Sequence, residues 1–179
     1  MSQELYRRLI AAGQSARLMS TPPDSLTAFR SYFDGQPESI RRAFYNLGNL
    51  IVSFELKNQN DSTIILDRYW PSTIAYQMAR LTEDQWISLS WPKYLVQPML
   101  IVYIFVDEEE RRRRISQRSI PVTIEEEALA AQALFRQRLD LIYRNYIPGR
   151  KVHQIDGNRS TAEMADEIFH LFEQNKSSN

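Results

Sequence analysis

Hydrophobic positions along the chain form two kinds of run. From Glu4 to Ala12, Leu5, Leu9 and Ala12 recur at spacings of four and three, the mark of an amphipathic helix, and Gly13 stops it. A longer helix spans Pro37 to Lys57, with Ile40, Phe44, Leu47, Ile51 and Phe54 on one apolar stripe expected to face the core. Further helices are read over Ser72 to Leu81, Glu108 to Gln117, Thr123 to Tyr146 and Thr161 to Gln174. The second kind of run is short, β-branched and bounded by turn residues. Thr63 to Leu66, ending at Asp67, and Met99 to Val106, ending at Asp107, read as buried strands of a parallel sheet. Ala16 to Met19, which leads into Ser20-Thr21-Pro22-Pro23, and Lys151 to Ile155 read as two more strands. Thr82 to Pro98 is a Trp-rich connection broken by Pro92 and Pro98, and a loop is expected around Pro121. Strands alternating with helices argue for an α/β fold around a mainly parallel sheet, with ligands beyond the carboxyl ends of its strands. The expected layout is one domain over residues 1–174 and a disordered tail from Asn175 to Asn179.

Composition narrows the chemistry. The 179 residues suit one domain with a real core, and 22 Lys plus Arg balance 22 Asp plus Glu. Zero net charge gives no global pull toward nucleic acid or an anionic membrane, so neither is an expected partner. The absence of cysteine excludes disulfides and thiolate metal sites. Met99 to Val106, eight residues long, is the longest apolar stretch, far short of the roughly 20 that span a bilayer. Met1-Ser2-Gln3-Glu4 reads as neither signal nor transit peptide, which leaves the compartment open between mitochondrial and cytoplasmic. The glycines are Gly13, Gly35, Gly48, Gly149 and Gly157, where average usage would give roughly a dozen. No two of them can form a G-x-x-x-x-G-K-[ST] or G-x-G-x-x-G cradle. Any phosphate is bound by other means.

Three clusters carry candidate chemistry. Asp67-Arg68, at the end of a strand, sets a carboxylate and a guanidinium at the rim where ligands bind. The guanidinium can grip a phosphate bidentately and the carboxylate can orient a cation; equally, the two can be a rim ion pair that fixes a loop. Tyr69, Trp70 and Tyr76 offer flat surfaces for a base or sugar, or core packing. The second cluster is Asp107-Glu108-Glu109-Glu110-Arg111-Arg112-Arg113-Arg114 with Arg118. It reads either as a solvated helix held by Glu-to-Arg pairs or as a helix whose Arg114 and Arg118 share a face that closes over phosphates. On the long helix, Phe44 and Asn49 can stack on and hydrogen-bond a base, although Phe44 also fits the core. His153 and His170 stand too far apart to suggest a metal site or a triad.

With these clusters in order, the chain resembles the thymidylate kinase-like family of nucleoside monophosphate kinases, most closely its mitochondrial UMP/CMP kinase branch. The resemblance rests on Ile40-Arg41-Arg42-Ala43-Phe44-Tyr45-Asn46-Leu47-Gly48-Asn49, on Asp67-Arg68-Tyr69-Trp70-Pro71-Ser72-Thr73 with Ala75-Tyr76, and on Glu110 to Arg118. Phe135-Arg136-Gln137 and Val152-His153-Gln154-Ile155-Asp156 extend it over nearly the whole chain. It implies a P-loop NTPase-like three-layer α/β fold and transfer of the γ-phosphate of ATP, with Mg2+, to a pyrimidine nucleoside monophosphate such as UMP, CMP, dUMP, dCMP or dTMP. By the same resemblance Arg68 holds the acceptor and Asp67 organises the magnesium and the transfer centre. Phe44 stacks on the base with Asn49 beside it, and Tyr69, Ser72 and Tyr76 line the pocket. Arg114 and Arg118 belong to a lid over the ATP phosphates. A homodimer is compatible with this reading.

Three departures qualify it. Leu47-Gly48-Asn49 stands where thymidylate kinases carry an arginine that reads thymine, which favours the UMP/CMP or dUMP/dCMP branch. Thr21-Pro22-Pro23-Asp24 replaces an Arg-Glu-Pro segment, so Asp24 inherits no metal role. The first strand and the Walker-type loop of the family are missing, which implies that this chain alone turns over negligibly. The alternative is a non-catalytic relative that binds nucleotide or pairs with a complete kinase.

Overall fold

The structure, a computed structural model, describes residues 1–58, 62–86, 92–117, 133–147 and 151–177. Arg118, the loop around Pro121, the expected helix over residues 123–132 and the tail residues 178 and 179 lie outside these. The chain divides into two compact units, Ser2–Met99 and Leu100–Asn179.

In the first unit, helix α1 (Ser2–Ala11) ends at Gly13, whose φ of 73° is one that side chains rarely adopt. The turn closes with Gly13 N donating to Ile10 O at 2.9 Å and Gln14 N to Leu9 O at 3.0 Å. Strand β1 (Ala16–Ser20) pairs in parallel with β2 (Thr63–Asp67), Ala16 opposite Thr63 and Ser20 opposite Asp67. The crossover between them holds two short helices that the residue pattern did not announce, α2 (Asp24–Thr27) and α3 (Arg30–Asp34), and then α4 (Glu38–Lys57). Helix α5 (Trp70–Arg80) and the short α6 (Glu83–Trp86) follow β2. The core gathers Met19, Val52, Tyr69, Trp70 and Leu95, with Leu56, Ile64, Leu66 and Ile74 packed against it.

Helix α4 is turned differently from the expectation. Of the predicted stripe only Phe44 is buried, at 4 % exposure, while Ile40, Leu47 and Phe54 are 44, 47 and 69 % exposed. The buried face carries Phe44, Gly48, Asn49, Val52 and Ser53. Gly48 explains the rotation. With no side chain it lets the helix approach the loop after β1 until an added Cβ would stand 3.3 Å from Pro22 Cα and from Thr21 Cγ2. The polar residues beside it are satisfied inward: Asn49 Nδ2 donates to Thr73 Oγ1 at 2.9 Å, and Ser53 Oγ accepts from Val96 N at 2.9 Å.

The second unit pairs β3 (Ile101–Phe105) with β4 (Val152–Asp156), again in parallel. Around them stand α7 (Glu108–Ser116), α8 (Ala133–Asn145) and α9 (Thr161–Ser177). Helix α9 continues through Asn175 to Ser177, residues expected in the tail. Phe135, Leu139, Ile142, Ile155, Met164, Ala165 and Ile168 are buried here. Gly157 N donates to Phe105 O at 2.7 Å, bringing the turn after β4 against the end of β3.

The fold is thus α/β with parallel strands, as the pattern implied. Among the described residues, however, the strands form two sheets of two rather than one larger sheet. Each strand has one hydrogen-bonded neighbour there. The expected burial is accordingly reduced: Thr63 to Leu66 are half-buried, and in β3 only Ile101 is fully buried.

Candidate functional site

The site in the first unit is assembled where β1 and β2 end. Thr21 N donates to Asp67 O at 3.3 Å, and Thr21 Oγ1 to Arg68 O at 3.2 Å, so the exits of both strands are tied together. Arg68 has φ 67°, a left-handed conformation that costs a non-glycine residue roughly 1–2 kcal/mol. Strain of this kind gathers at ligand sites, where the surroundings hold it in place. The strand thus ends with Asp67 and Arg68 both exposed at its carboxyl rim. The Asp67 carboxylate accepts the Ser2 hydroxyl at 3.3 Å, from the first turn of α1. The Arg68 guanidinium lies 5.8 Å from the centre of the Tyr76 ring, within cation–π range.

The remaining predicted residues of this cluster lie on α4 and α5. Ser72 and Tyr76 are half-buried on α5, one turn apart. Tyr69 is 5 % exposed and its hydroxyl, among the described residues, finds no hydrogen-bond partner. Burial pushes that hydroxyl above its usual pKa of 10, more than the nearby Ser53 hydroxyl lowers it. Asn49 is 1 % exposed; with Nδ2 committed to Thr73, its Oδ1 is also without a partner. Phe44 stacks on Phe33 at 4.5 Å and 11°, and meets Tyr45 edge-on at 5.5 Å. One ring face of Phe44 is therefore taken by Phe33.

In the second unit, α7 displays the predicted charge pattern. Glu108 binds Arg111 and Arg112 at 2.8 and 2.7 Å, and Glu110 binds Arg113 and Arg114 at 2.6 Å each. Arg136 of α8 adds a contact to Glu108 at 3.3 Å. These arginines hold both carboxyls near a pKa of about 2, against an ordinary 4.5. Arg114 also reaches Arg159 O at 3.5 Å. Arg118, its predicted companion, is outside the described residues. Asp24 is exposed on α2. Burial and Lys151 lower the pKa of His153, and no function attaches to it.

Three contributors escaped the residue pattern: Ser2, Thr21 and Thr73. Each is a common hydroxyl residue whose role depends on a partner 24 to 65 positions away. Only Thr21 carried a signal, as the residue before two prolines at a strand exit.

Among the described residues no three His, Cys, Asp or Glu side chains group as a metal cage, and no helix is long and apolar enough to cross a membrane. Magnesium is usually held by protein through one or two carboxylates together with substrate phosphates. The exposed Asp67 carboxylate fits that requirement.

Comparison with known proteins gives a consistent set. Residues 1–168 match the family described as thymidylate kinase. The chain is 35 % identical over 174 residues to human "UMP-CMP kinase 2, mitochondrial", covering 92 % of this chain and 38 % of that protein. It is 28 % identical over 116 residues to a "Probable thymidylate kinase" of Sulfolobus acidocaldarius, 65 % of this chain and 57 % of that one. A "Probable thymidylate kinase" of Thermococcus gammatolerans is 37 % identical over 62 residues, 35 % of this chain and 29 % of that one. The chain thus spans about two fifths of the human relative and under two thirds of the other two.

Proposed function

The chain belongs to the thymidylate kinase family, and from that premise we propose that it carries the acceptor side and part of the lid of a nucleoside monophosphate kinase. The reaction is transfer of the γ-phosphate of Mg-ATP to a pyrimidine (deoxy)nucleoside monophosphate. The observation that supports this most directly is the Asp67-Arg68 corner: a strained, exposed arginine at a parallel strand's carboxyl end, tied in place by Thr21 and set beside Tyr76. Arg68 holds the acceptor phosphate through charge-assisted hydrogen bonds. Asp67 presents a hard oxygen to magnesium. Phe44, Asn49, Tyr69, Ser72 and Tyr76 shape the pyrimidine pocket, and Arg114 with Arg118 neutralises donor phosphate charge.

Calorimetry with UMP, CMP, dUMP and dTMP tests the acceptor side. At least one should bind, and Arg68→Ala should weaken it by 10-fold or more, consistent with about 1.5–3 kcal/mol for a hydrogen bond to a charged group. No binding by any of the four to folded protein would overturn the proposal.

A second reading is a non-catalytic relative that binds nucleotide or pairs with a complete kinase. An ADP-release assay separates the two. Negligible turnover by this chain, with acceptor binding intact, fits both an incomplete kinase and the non-catalytic relative. Restored turnover on adding a strand and a Gly-Lys-Ser/Thr loop ahead of Met1 identifies the kinase.

A further inference from the structure

Helix α5 carries Ser72, Tyr76 and Arg80 at steps of four, so the three share one stripe of its surface. Ser72 and Tyr76 line the proposed pocket, and Arg80 stands one turn beyond them, in the last turn of the helix. Its guanidinium has three neighbours. Arg80 Nη1 donates to Tyr76 O at 3.1 Å, and the group lies 6.0 Å from the centre of the Tyr76 ring. Arg80 Nε stands 3.3 Å from Glu38 Oε2, in the first turn of α4, and Arg41 binds the same oxygen. Helices α4 and α5 are also joined by Asn49 Nδ2 donating to Thr73 Oγ1 at 2.9 Å. Along α5, Tyr76 lies between these two ties.

The Glu38–Arg80 pair suits the helix ends on which it sits, a carboxylate in a first turn and a guanidinium in a last turn. Its side chains are 40 and 30 % exposed, and an ion pair as open to water as this adds little to stability. The consequence of the pair is geometric. Tyr76 is only half-buried, so core packing alone does not hold its ring. Two guanidiniums do: Arg80 at 6.0 Å and Arg68 at 5.8 Å from the same ring centre, both within cation–π range. A chain of contacts therefore runs from Glu38 through Arg80 and Tyr76 to Arg68.

We propose that Glu38 and Arg80 are positioning residues of the acceptor site. Glu38 holds Arg80, Arg80 holds the Tyr76 ring, and the ring keeps the Arg68 guanidinium where the acceptor phosphate binds. The inference rests on the reading of Arg68 as the residue that holds that phosphate. An incoming acceptor then meets a ring and a guanidinium already in place, and the cost of ordering them does not fall on the binding step.

Calorimetry on the whole chain with UMP, CMP, dUMP and dTMP reads the effect, with urea unfolding beside it. Glu38→Gln and Arg80→Met should each weaken whichever acceptor the wild type binds by about 2- to 10-fold, the range for leaving one such side chain to be ordered on binding. The urea midpoints should stay close to wild type. Arg80→Lys, which keeps a cation within reach of Glu38 and the ring, should recover most of the loss. In a Tyr76→Leu background, where no ring remains to be held, Arg80→Met should change affinity by less than about 2-fold, the coupling expected of residues that act through one another. Wild-type affinity in Glu38→Gln, or an equal effect of Arg80→Met with and without the Tyr76 ring, would overturn the positioning role and leave that of Arg68 standing. No binding by any of the four to folded wild type would overturn the reading of Arg68, and the positioning role with it.

Discussion

Gly48→Ala sets two effects of similar size against each other, and the structure decides which wins. Alanine in a helix interior is favoured over glycine by about 1 kcal/mol, and Gly48 has ordinary helical backbone, so substitution there would normally stabilise. Here the new Cβ would meet Pro22 Cα and Thr21 Cγ2 at 3.3 Å and Pro23 Cδ at 3.4 Å, inside the 3.5–4.0 Å optimum for carbon pairs. The neighbours cannot yield easily. The rings of Pro22 and Pro23 fix their own φ angles, and rotation of Thr21 would break its hydrogen bond to Arg68 O. Overpacking of this kind costs about 1–3 kcal/mol. The net expectation is a loss of about 1 kcal/mol, a fall in melting temperature of about 2–4 °C for a chain of this size. Thermal unfolding followed by circular dichroism reads it. A rise of 2 °C or more would show that the loop gives way and that Gly48 does not set the rotation of α4. Gly48→Arg should lose more than about 3 kcal/mol, because the loop occupies the space the side chain needs.

Other perturbations reach the remaining parts of the fold. Gly157→Ala should destabilise by about 3 kcal/mol, because its Cβ would stand 2.5 Å from Val106 Cγ2 and 2.7 Å from the Phe105 carbonyl oxygen; an unchanged urea midpoint would refute that packing. Thr73→Val removes the acceptor of Asn49 Nδ2 and leaves both ends of a buried amide unpaired, a loss of about 1–3 kcal/mol, and a midpoint equal to wild type would show that the pair contributes nothing. Glu108 and Glu110 ionise near pH 2 in the folded chain instead of near 4.5. The support they give α7 is therefore full above about pH 4.5 and is lost as pH falls toward 2. Carboxyl carbon titration by NMR should place both midpoints near 2, and values near 4.5 would show the pairs are not populated.

What was legible in the sequence was local. The α1 stop at Gly13 and the Glu-to-Arg pairs of α7 depend on residues at most five apart, and both stand as the pattern implied. Asp67-Arg68 at a strand end was legible for the same reason, since the strand runs straight into the pair. The orientation of α4 was not. A helix apolar on two sides gives the same periodicity whichever side is buried, and the choice is made by Gly48 against a loop 25 to 27 residues earlier. The hydroxyl contacts of Thr21 and Thr73 span 47 and 24 positions. Apart from the two prolines that follow Thr21, nothing in the spacing of such common residues announces them.

Leu47 and Gly48 are adjacent, yet they test different claims. Gly48 faces the loop that fixes Arg68 through Thr21, so a change there acts on the acceptor corner through one hydrogen bond and a strained backbone. Leu47 points about 100° away and is 47 % exposed. Leu47→Ala should therefore leave UMP or CMP affinity unchanged, while Gly48→Ala should weaken it by displacing Thr21, which is bonded to Arg68 O. Equal affinities for the two variants would show that the acceptor corner does not depend on how closely α4 meets this loop.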